Sequence, residues 1–243
     1  MPVDFNHPLI VGVVSFCLLL LVAWIGFTFL SKQRSLEEAA REDISVILGA
    51  TLTLLALIIG FSFSMAVSRY DQRKNLEGAE ANAIGTQFVR AGLLPPADAA
   101  KVRSLLKSYL DERIRFYLTG DERPLATINA RTAVLQHELW AAVQAPAAAQ
   151  PDPVVALVVA GMNDVLNAQG YTQAAVWNRI PHAAWWMMAM IAACCNLLLG
   201  YGSRNTEGGL VSRIVMPLIV AIAFMLIADI DSPGGGLIHV YPQ

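Results

Sequence analysis

Five side chains between residues 57 and 72 lie at helical spacing and become steadily more polar along the chain. At about 100° per residue, a single stripe contains Leu57, Phe61, Ser64, Ser68 and Gln72. These residue types line a passage for water and ions rather than making or breaking bonds. Apolar side chains form a constriction that gates by dewetting, and hydroxyl and amide groups form a polar vestibule beyond it.

The hydroxyl groups of the same segment also have a simpler interpretation. Ser and Thr are frequent between residues 45 and 68, and membrane helices commonly bond such hydroxyls to their own backbone or to a neighbouring helix. The density of hydroxyls favours this structural interpretation, whereas the shared helical phase of the stripe favours a polar passage. Both interpretations stay open from the residues alone.

Glu80 follows the stripe on the same helix and is a candidate for the vestibule lining. A ring of Glu80 side chains from several copies would favour cations. The alternative is packing against the following helix, because Gly78, Ala81 and Gly85 are small residues at helical spacing that allow a close approach. The residues do not separate these two interpretations.

Asp229 and Asp231 end the last apolar segment and form a possible cation site. Two carboxylates are fewer than the six to eight oxygen ligands that calcium takes, so backbone carbonyls or another subunit would have to complete the site. Interfacial carboxylates followed by a helix stop at Pro233 are the simpler interpretation. The identity of any metal bound here is unknown from the sequence.

No catalytic motif accompanies these residues. The four histidines are scattered, and the sequence has no H-E-x-x-H, C-x-x-C, G-x-S-x-G or phosphate-binding loop. We therefore expect no enzyme activity and no cofactor. The net charge of −2 also gives no reason to expect nucleic acid as a partner.

The elements that must position the stripe are membrane-spanning helices. The chain has 243 residues, of which 56% are hydrophobic and 15% are charged, against about a quarter charged in soluble domains. A span needs about 20 apolar residues. We predict four spans, and the first is too long, with no basic residue before it, for a cleaved signal peptide. The predicted spans are residues 8–30, 44–67, 181–201 and 210–228.

Residues 68–180 are predicted to form a helical soluble domain between the second and third spans. Apolar side chains recur there at three and four residues, and no segment alternates as a strand does. Residues 145–153, "APAAAQPDP", are expected to be a linker, and residues 229–243 a C-terminal tail. Nothing breaks the helix after Gly60, so the second helix is expected to continue beyond the membrane. The predicted fold class is an all-α membrane protein.

Charge does not fix the orientation of the chain in the membrane. Five basic residues belong to the loops on one side and four lie close to the membrane on the other, and long loops obey the positive-inside rule poorly. The first group is Lys32, Arg34, Arg41, Arg204 and Arg213, and the second is Arg69, Arg73, Lys74 and Arg179.

Two short motifs resemble a known family. The segment "LIIGFSFSMAVSRYDQ" resembles the second membrane helix of bestrophins, with Gly60, Phe61, Arg69 and Tyr70 at matching spacing. The segment "DIDSPGGGLIHV" is loosely similar to the acidic segment after the last bestrophin span. Through "SRYDQRKNLEGAEANAIGT", the chain also resembles a bacterial family of bestrophin-like membrane proteins.

The resemblance implies a pentameric, gated ion channel of the bacterial inner membrane, with its soluble domain in the cytoplasm. Its partners would be membrane lipids, inorganic ions and further copies of the same chain. The bestrophin neck corresponds to Thr53, Leu57 and Phe61, and Thr53 departs from the apolar pattern, which implies a shorter or wetter constriction. The polar stretch after Arg69 also departs, so anion or cation selectivity does not carry over. The alternative is a membrane scaffold or signalling protein of the same fold that does not conduct.

Overall fold

The computed structural model describes residues 7–30, 38–119, 122–149, 151–203 and 207–232. These residues form seven α-helices, with a π-helical turn at Gly26–Leu30 and a 3-10 turn at Ala91–Leu93. The helices are α1 (Pro8–Ile25), α2 (Glu38–Arg90), α3 (Pro96–Leu118), α4 (Glu122–Ala149), α5 (Pro153–Trp177), α6 (His182–Gly202) and α7 (Glu207–Asp231). There is no strand among the described residues, and the all-α prediction is confirmed.

Four helical segments of the described chain are long and apolar enough to cross a membrane. They lie within Pro8–Thr28, Glu42–Leu93, Pro153–Gly202 and Gly209–Asp231. α2 has 53 residues, so at about 1.5 Å per residue it is about 80 Å long, against about 30 Å for the hydrocarbon core of a bilayer. The second helix therefore continues far beyond the membrane, as the missing helix breaker predicted.

The described residues divide into two units. Unit 1 contains the residues up to Ser68 together with Arg179–Ser232, and unit 2 contains Arg69–Asn178. Unit 1 holds α1, α6, α7 and the first part of α2, which are the most apolar helices. Unit 2 holds the rest of α2 with α3, α4 and α5.

Two glycines allow α1 and the π-helical turn that follows it to meet α6 backbone to backbone in unit 1. A Cβ atom on Gly200 would overlap the carbonyl oxygen of Ala23, and a Cβ atom on Gly26 would overlap that of Leu197. Small residues permit such contacts between membrane helices, where packing rather than the hydrophobic effect drives association. Neither glycine can gain a side chain unless the two helices move apart.

We expect Gly200→Ala to lower the stability of unit 1 by about 1–3 kcal/mol, because the added methyl group forces the two backbones apart. Gly202→Ala on the same helix is the control, since a Cβ there would lie 3.7 Å from the Ile44 side chain, an ordinary contact. Thermal unfolding in detergent, followed by circular dichroism, measures both variants. Equal melting temperatures for the two would contradict the close-packing argument.

Unit 2 has its own apolar core, to which α2, α3, α4 and α5 all contribute. Leu106, Leu139 and Val158 are buried within it. One sequence expectation is wrong here: residues 145–153 are not all linker, because α4 continues to Ala149 and α5 begins at Pro153. The helix persists past Pro146 because the surrounding alanines strongly favour helix and the proline itself is buried.

Candidate functional site

α2 buries one narrow face along its length. At about 100° per residue, its buried side chains from residue 55 onward fall within about 80° of the helix circumference. The first part of this face, in unit 1, is apolar or hydroxyl-bearing, and the second part, in unit 2, is mostly charged or amide. The buried residues are Leu55, Ser62, Ala66, Arg73, Glu77, Glu80, Ile84 and Gln87.

The residues predicted to line a pore lie on the opposite face of α2. Leu57 is 53% exposed and Phe61 is 64% exposed, and the remaining members of the stripe are exposed as well. The centre of this stripe is about 150° from the centre of the buried face. The structure therefore brings together six predicted residues on one surface that the rest of the chain leaves uncovered: Thr53, Leu57, Phe61, Ser64, Ser68 and Gln72.

Some hydroxyl groups of α2 are bonded or buried within the protein, and others are exposed as a polar passage would require. Thr53 donates a hydrogen bond from Oγ1 to the carbonyl oxygen of Gly49 at 2.9 Å, which satisfies the hydroxyl within its own helix. Ser62 is buried in unit 1. Ser64 and Ser68 are exposed instead, so these two hydroxyls are available to water or to another chain.

Glu80 is buried, at 2% exposure, and packs against the following helix. Its Oε1 accepts a hydrogen bond from Nε of Arg113 at 2.5 Å, and its Oε2 accepts from Nη2 of the same guanidinium at 3.2 Å. The Tyr117 hydroxyl donates a third bond to Oε2 at 2.9 Å. This placement agrees with packing against the following helix, because the carboxylate does not reach the exposed stripe. The expected close approach at Gly78 and Gly85 is wrong, since an added Cβ atom there would meet nothing within 4 Å of the described chain.

The ion pair and its burial shift the pKa values of the groups around it. Burial alone would lower the pKa of Arg113, but hydrogen bonding and the charge of Glu80 outweigh burial and raise it. Burial and then the Glu80 carboxylate raise the pKa of Tyr117 above its ordinary value, and the same two causes raise that of Tyr109. Inside the folded unit, Arg113 therefore stays charged and Tyr109 and Tyr117 stay protonated at neutral pH.

We expect unit 2 to lose stability above about pH 10, where tyrosine ionises in the unfolded chain. Folded Tyr109 keeps its proton there, so the folded state binds more protons and stability falls by up to about 1.4 kcal/mol per pH unit for each such tyrosine. Tyr109→Phe should make the melting temperature depend less on pH between about pH 10 and pH 12, where the unfolded chain loses this tyrosine proton and the folded chain keeps it. Tyr171→Phe is the control because Tyr171 is 63% exposed, and equal curves for both variants would contradict the assignment.

Asp229 and Asp231 are buried at the end of α7 rather than open to solvent. The Asp231 carboxylate accepts the backbone N–H of Ile180 at 3.1 Å, which ties α7 to the segment before α6. No group of three His, Cys, Asp or Glu side chains among the described residues could hold a metal ion. The motif from Pro233 onward lies outside the described residues.

Sequence reasoning missed two polar residues that hold α2 in unit 2. Arg113 is 2% exposed and Gln87 is fully buried, where Gln87 donates from Nε2 to the carbonyl oxygen of Val158 at 2.9 Å. The sequence does carry a signal for Arg113. It falls at positions i+4 and i+7 from Tyr109 and Leu106, on the apolar face of α3.

A groove of about 690 Å³ lies between the ends of α4 and α5, with Trp140, Ala147, Pro151 and Val155 in its lining. Its lining is largely apolar. The carboxylate of Asp152 accepts the N–H of Val154 at 2.7 Å and so caps α5. Asp152 in the lining thus serves as the N-cap of α5.

Glycines form a third line along α2, between the buried face and the exposed stripe. Gly49, Gly60, Gly78 and Gly85 fall within about 20° of one another and about 80° from the centre of the stripe. A Cβ atom built on any of the four would meet nothing within 4 Å in the described chain. The packing of a single chain therefore gives no reason for glycine at these positions.

Comparison with known proteins agrees with this architecture. A family model for a Bestrophin-like domain matches residues 13–243. Two crystal structures of a bacterial bestrophin homologue from Klebsiella pneumoniae, the first of a point mutant, have similar folds. The mutant has a TM-score of 0.70, and the match covers 95% of this chain and 90% of that chain. The other structure has a TM-score of 0.67, and the match covers 95% of this chain and 92% of that chain. Each is 15% identical in sequence to this chain. No protein with a curated function matches the sequence significantly.

Proposed function

Because the chain belongs to the Bestrophin-like family, we propose that it is a homopentameric ion channel of a bacterial inner membrane. Ions would flow passively through a central pore lined by α2, and the soluble unit 2 would lie in the cytoplasm. Neither covalent chemistry nor a cofactor is part of this mechanism.

The observation that carries this proposal is the uncovered stripe on α2. Ser64 and Ser68 are exposed on a helix whose apolar part is long enough to cross the membrane. In a lone chain these hydroxyls would face lipid, which leaves them at most their own helix as a hydrogen-bond partner and costs free energy. A ring of copies around a water-filled axis gives the same hydroxyls a polar environment and removes that cost.

In such a ring, Leu57 and Phe61 form the constriction. Their side chains are more than half exposed in the single chain, so they are free to project toward the axis. A narrow ring of apolar side chains excludes water and blocks ions until the helices move apart. Thr53 stands at one end with its hydroxyl bonded within its own helix, which leaves its methyl group to face the axis.

The wider vestibule is lined by Ser64, Ser68 and Gln72, and Glu80 is not part of this lining because Arg113 holds it in the core of unit 2. Serine and glutamine side chains are neutral. Selectivity then comes from the dimensions of the constriction and from charges elsewhere along the axis, so it has to be measured directly.

The test is a recording from purified protein in a planar bilayer under a potassium chloride gradient. A channel gives discrete currents, and the sign of the reversal potential separates anion from cation conduction. Silence over a range of voltage, pH and calcium concentration would overturn the proposal in favour of a non-conducting scaffold. Charged thiol reagents give a second readout: Ser64→Cys and Ser68→Cys, without the three native cysteines, react in a pore and are protected in a packed bundle.

A further inference from the structure

The rotation of α2 about its own axis decides which side chains face the proposed pore. One residue along the chain corresponds to about 100° around the helix, so a modest rotation replaces Phe61 and Leu57 with their neighbours. Buried contacts of α2 therefore have a second consequence besides stability. They set the phase of the exposed stripe.

In unit 1, the buried contacts of α2 are mostly apolar and weakly directional, apart from the hydroxyl of Ser62. Leu55 is 2% exposed and Ala66 is fully buried, and both are small or aliphatic side chains. Apolar contacts of this kind are non-directional, because they depend on buried area rather than on angle. Such contacts tolerate a rotation that keeps the area covered.

In unit 2, the buried contacts of α2 are strongly directional. Both oxygens of Glu80 are bonded to the Arg113 guanidinium, in a two-pronged geometry that fixes the angle as well as the distance. The guanidinium is itself held in place, since its carbon lies 4.3 Å from the centroid of the Phe116 ring. A rotation of α2 by one residue step would break all of these contacts at once.

A second attachment lies two turns further along α2. Gln87 donates to the backbone of α5 at Val158, and a Cβ atom on Gly161 of α5 would overlap Oε1 of Gln87. Arg90 and Asp164 add a weaker ion pair at 3.6 Å. Gln87 thus steadies the end of α2, but Glu80 is the nearer of the two to the stripe and carries the charge.

We propose that Arg113 is a positioning residue for the pore: by holding Glu80, it fixes the rotation of α2 and hence the side chains that the stripe presents. α2 is one uninterrupted helix from Glu38 to Arg90, so a phase fixed at Glu80 is transmitted along the backbone to Phe61. The effect on helix rotation stands on geometry alone. Its consequence for conduction rests on the proposed function.

The experiment scans nitroxide labels over residues 55–68, one at a time, in full-length protein without native cysteines and reconstituted in lipid vesicles. Collision with oxygen and with a water-soluble nickel chelate gives the phase of the exposed face. The scan is repeated in Arg113→Gln. Arg115→Gln is the matched control, because Arg115 lies on the same helix, is 67% exposed and pairs with Glu112, three residues earlier, at 3.2 Å.

We expect Arg113→Gln to shift the accessibility maximum by about 30° or more, roughly a third of one residue step, or to halve the periodic amplitude. Arg115→Gln should leave both unchanged, and Arg113→Lys should restore only part of the phase, because it keeps the charge but not the two-pronged geometry. If Arg113→Gln does not fold, Glu80→Gln with Arg113→Gln replaces it, since removing both charges leaves none buried without a partner.

An unchanged phase and amplitude in the folded Arg113 variants would overturn the positioning role. If the proposed channel function is wrong, the wild-type scan itself gives a different result. In that case oxygen rather than the nickel chelate reaches Ser64 and Ser68 in the wild type, because the stripe faces lipid. The comparison between Arg113→Gln and Arg115→Gln still decides the role of Arg113, since either reagent reports the helix phase.

Discussion

Phe61→Ala is expected to raise the single-channel current about tenfold, which corresponds to a barrier lower by about 1.4 kcal/mol. Phe61 is 64% exposed and belongs to the stripe that we assign to the constriction. Replacing a ring of phenyl groups by methyl groups widens the narrowest point and lets water enter, so ions lose less hydration there. Recording wild type and variant at matched protein density in the same bilayer measures the effect.

Phe63→Ala is the matched control for Phe61→Ala. Phe63 is 42% exposed and lies two residues away on α2, but it points about 130° away from the centre of the stripe. We expect its current to equal that of the wild type. Equal changes in both variants would show that losing any phenyl group perturbs α2, and the assignment of the constriction to Phe61 would then be wrong.

The sequence was sufficient for the fold class and for the character of α2, because both depend on local patterns. Long uncharged runs require membrane spans, and a helix with no breaker after Gly60 continues until one appears. The phase of Leu57, Phe61, Ser64 and Ser68 is also a local property, since the positions of side chains on a helix follow from spacing alone. Exposure of that face in the structure agrees with the pattern.

The role of Glu80 could not be predicted from the sequence, because it depends on a contact across 33 residues. Local spacing is equally compatible with a vestibule ring and with packing on the next helix. The burial of its partner Arg113 could not be predicted either. Arg113 lies on the same face of α3 as Tyr109 and Leu106. A charged residue is ordinarily exposed, however, so the sequence pattern does not place Arg113 in the core. Only the pairing of both charges makes their burial tolerable.

Replacing Gly78 and Gly85 together by leucine is expected to abolish the oligomer while leaving the single chain folded. Glycine inside a helix costs roughly 1 kcal/mol relative to alanine, so these residues need a compensating contact. The described chain provides none, because a Cβ atom at either position meets nothing within 4 Å. In a ring of α2 helices facing a central axis, this line of the helix lies on the flank, where the next copy approaches.

The leucine variants test assembly without disturbing the fold, because the surroundings of Gly78 and Gly85 within the described chain leave space for a larger side chain. Each added side chain would strain every equivalent interface of the ring by about 1–3 kcal/mol, and 1.4 kcal/mol already weakens association tenfold. Native mass spectrometry in detergent reads out subunit number, and circular dichroism checks the helix content. Asn75→Leu is the control, since Asn75 is exposed on α2 in phase with the stripe rather than the flank. An intact oligomer in the double leucine variant would place the subunit contact on another face of α2, and the ring geometry would have to be rebuilt around that face.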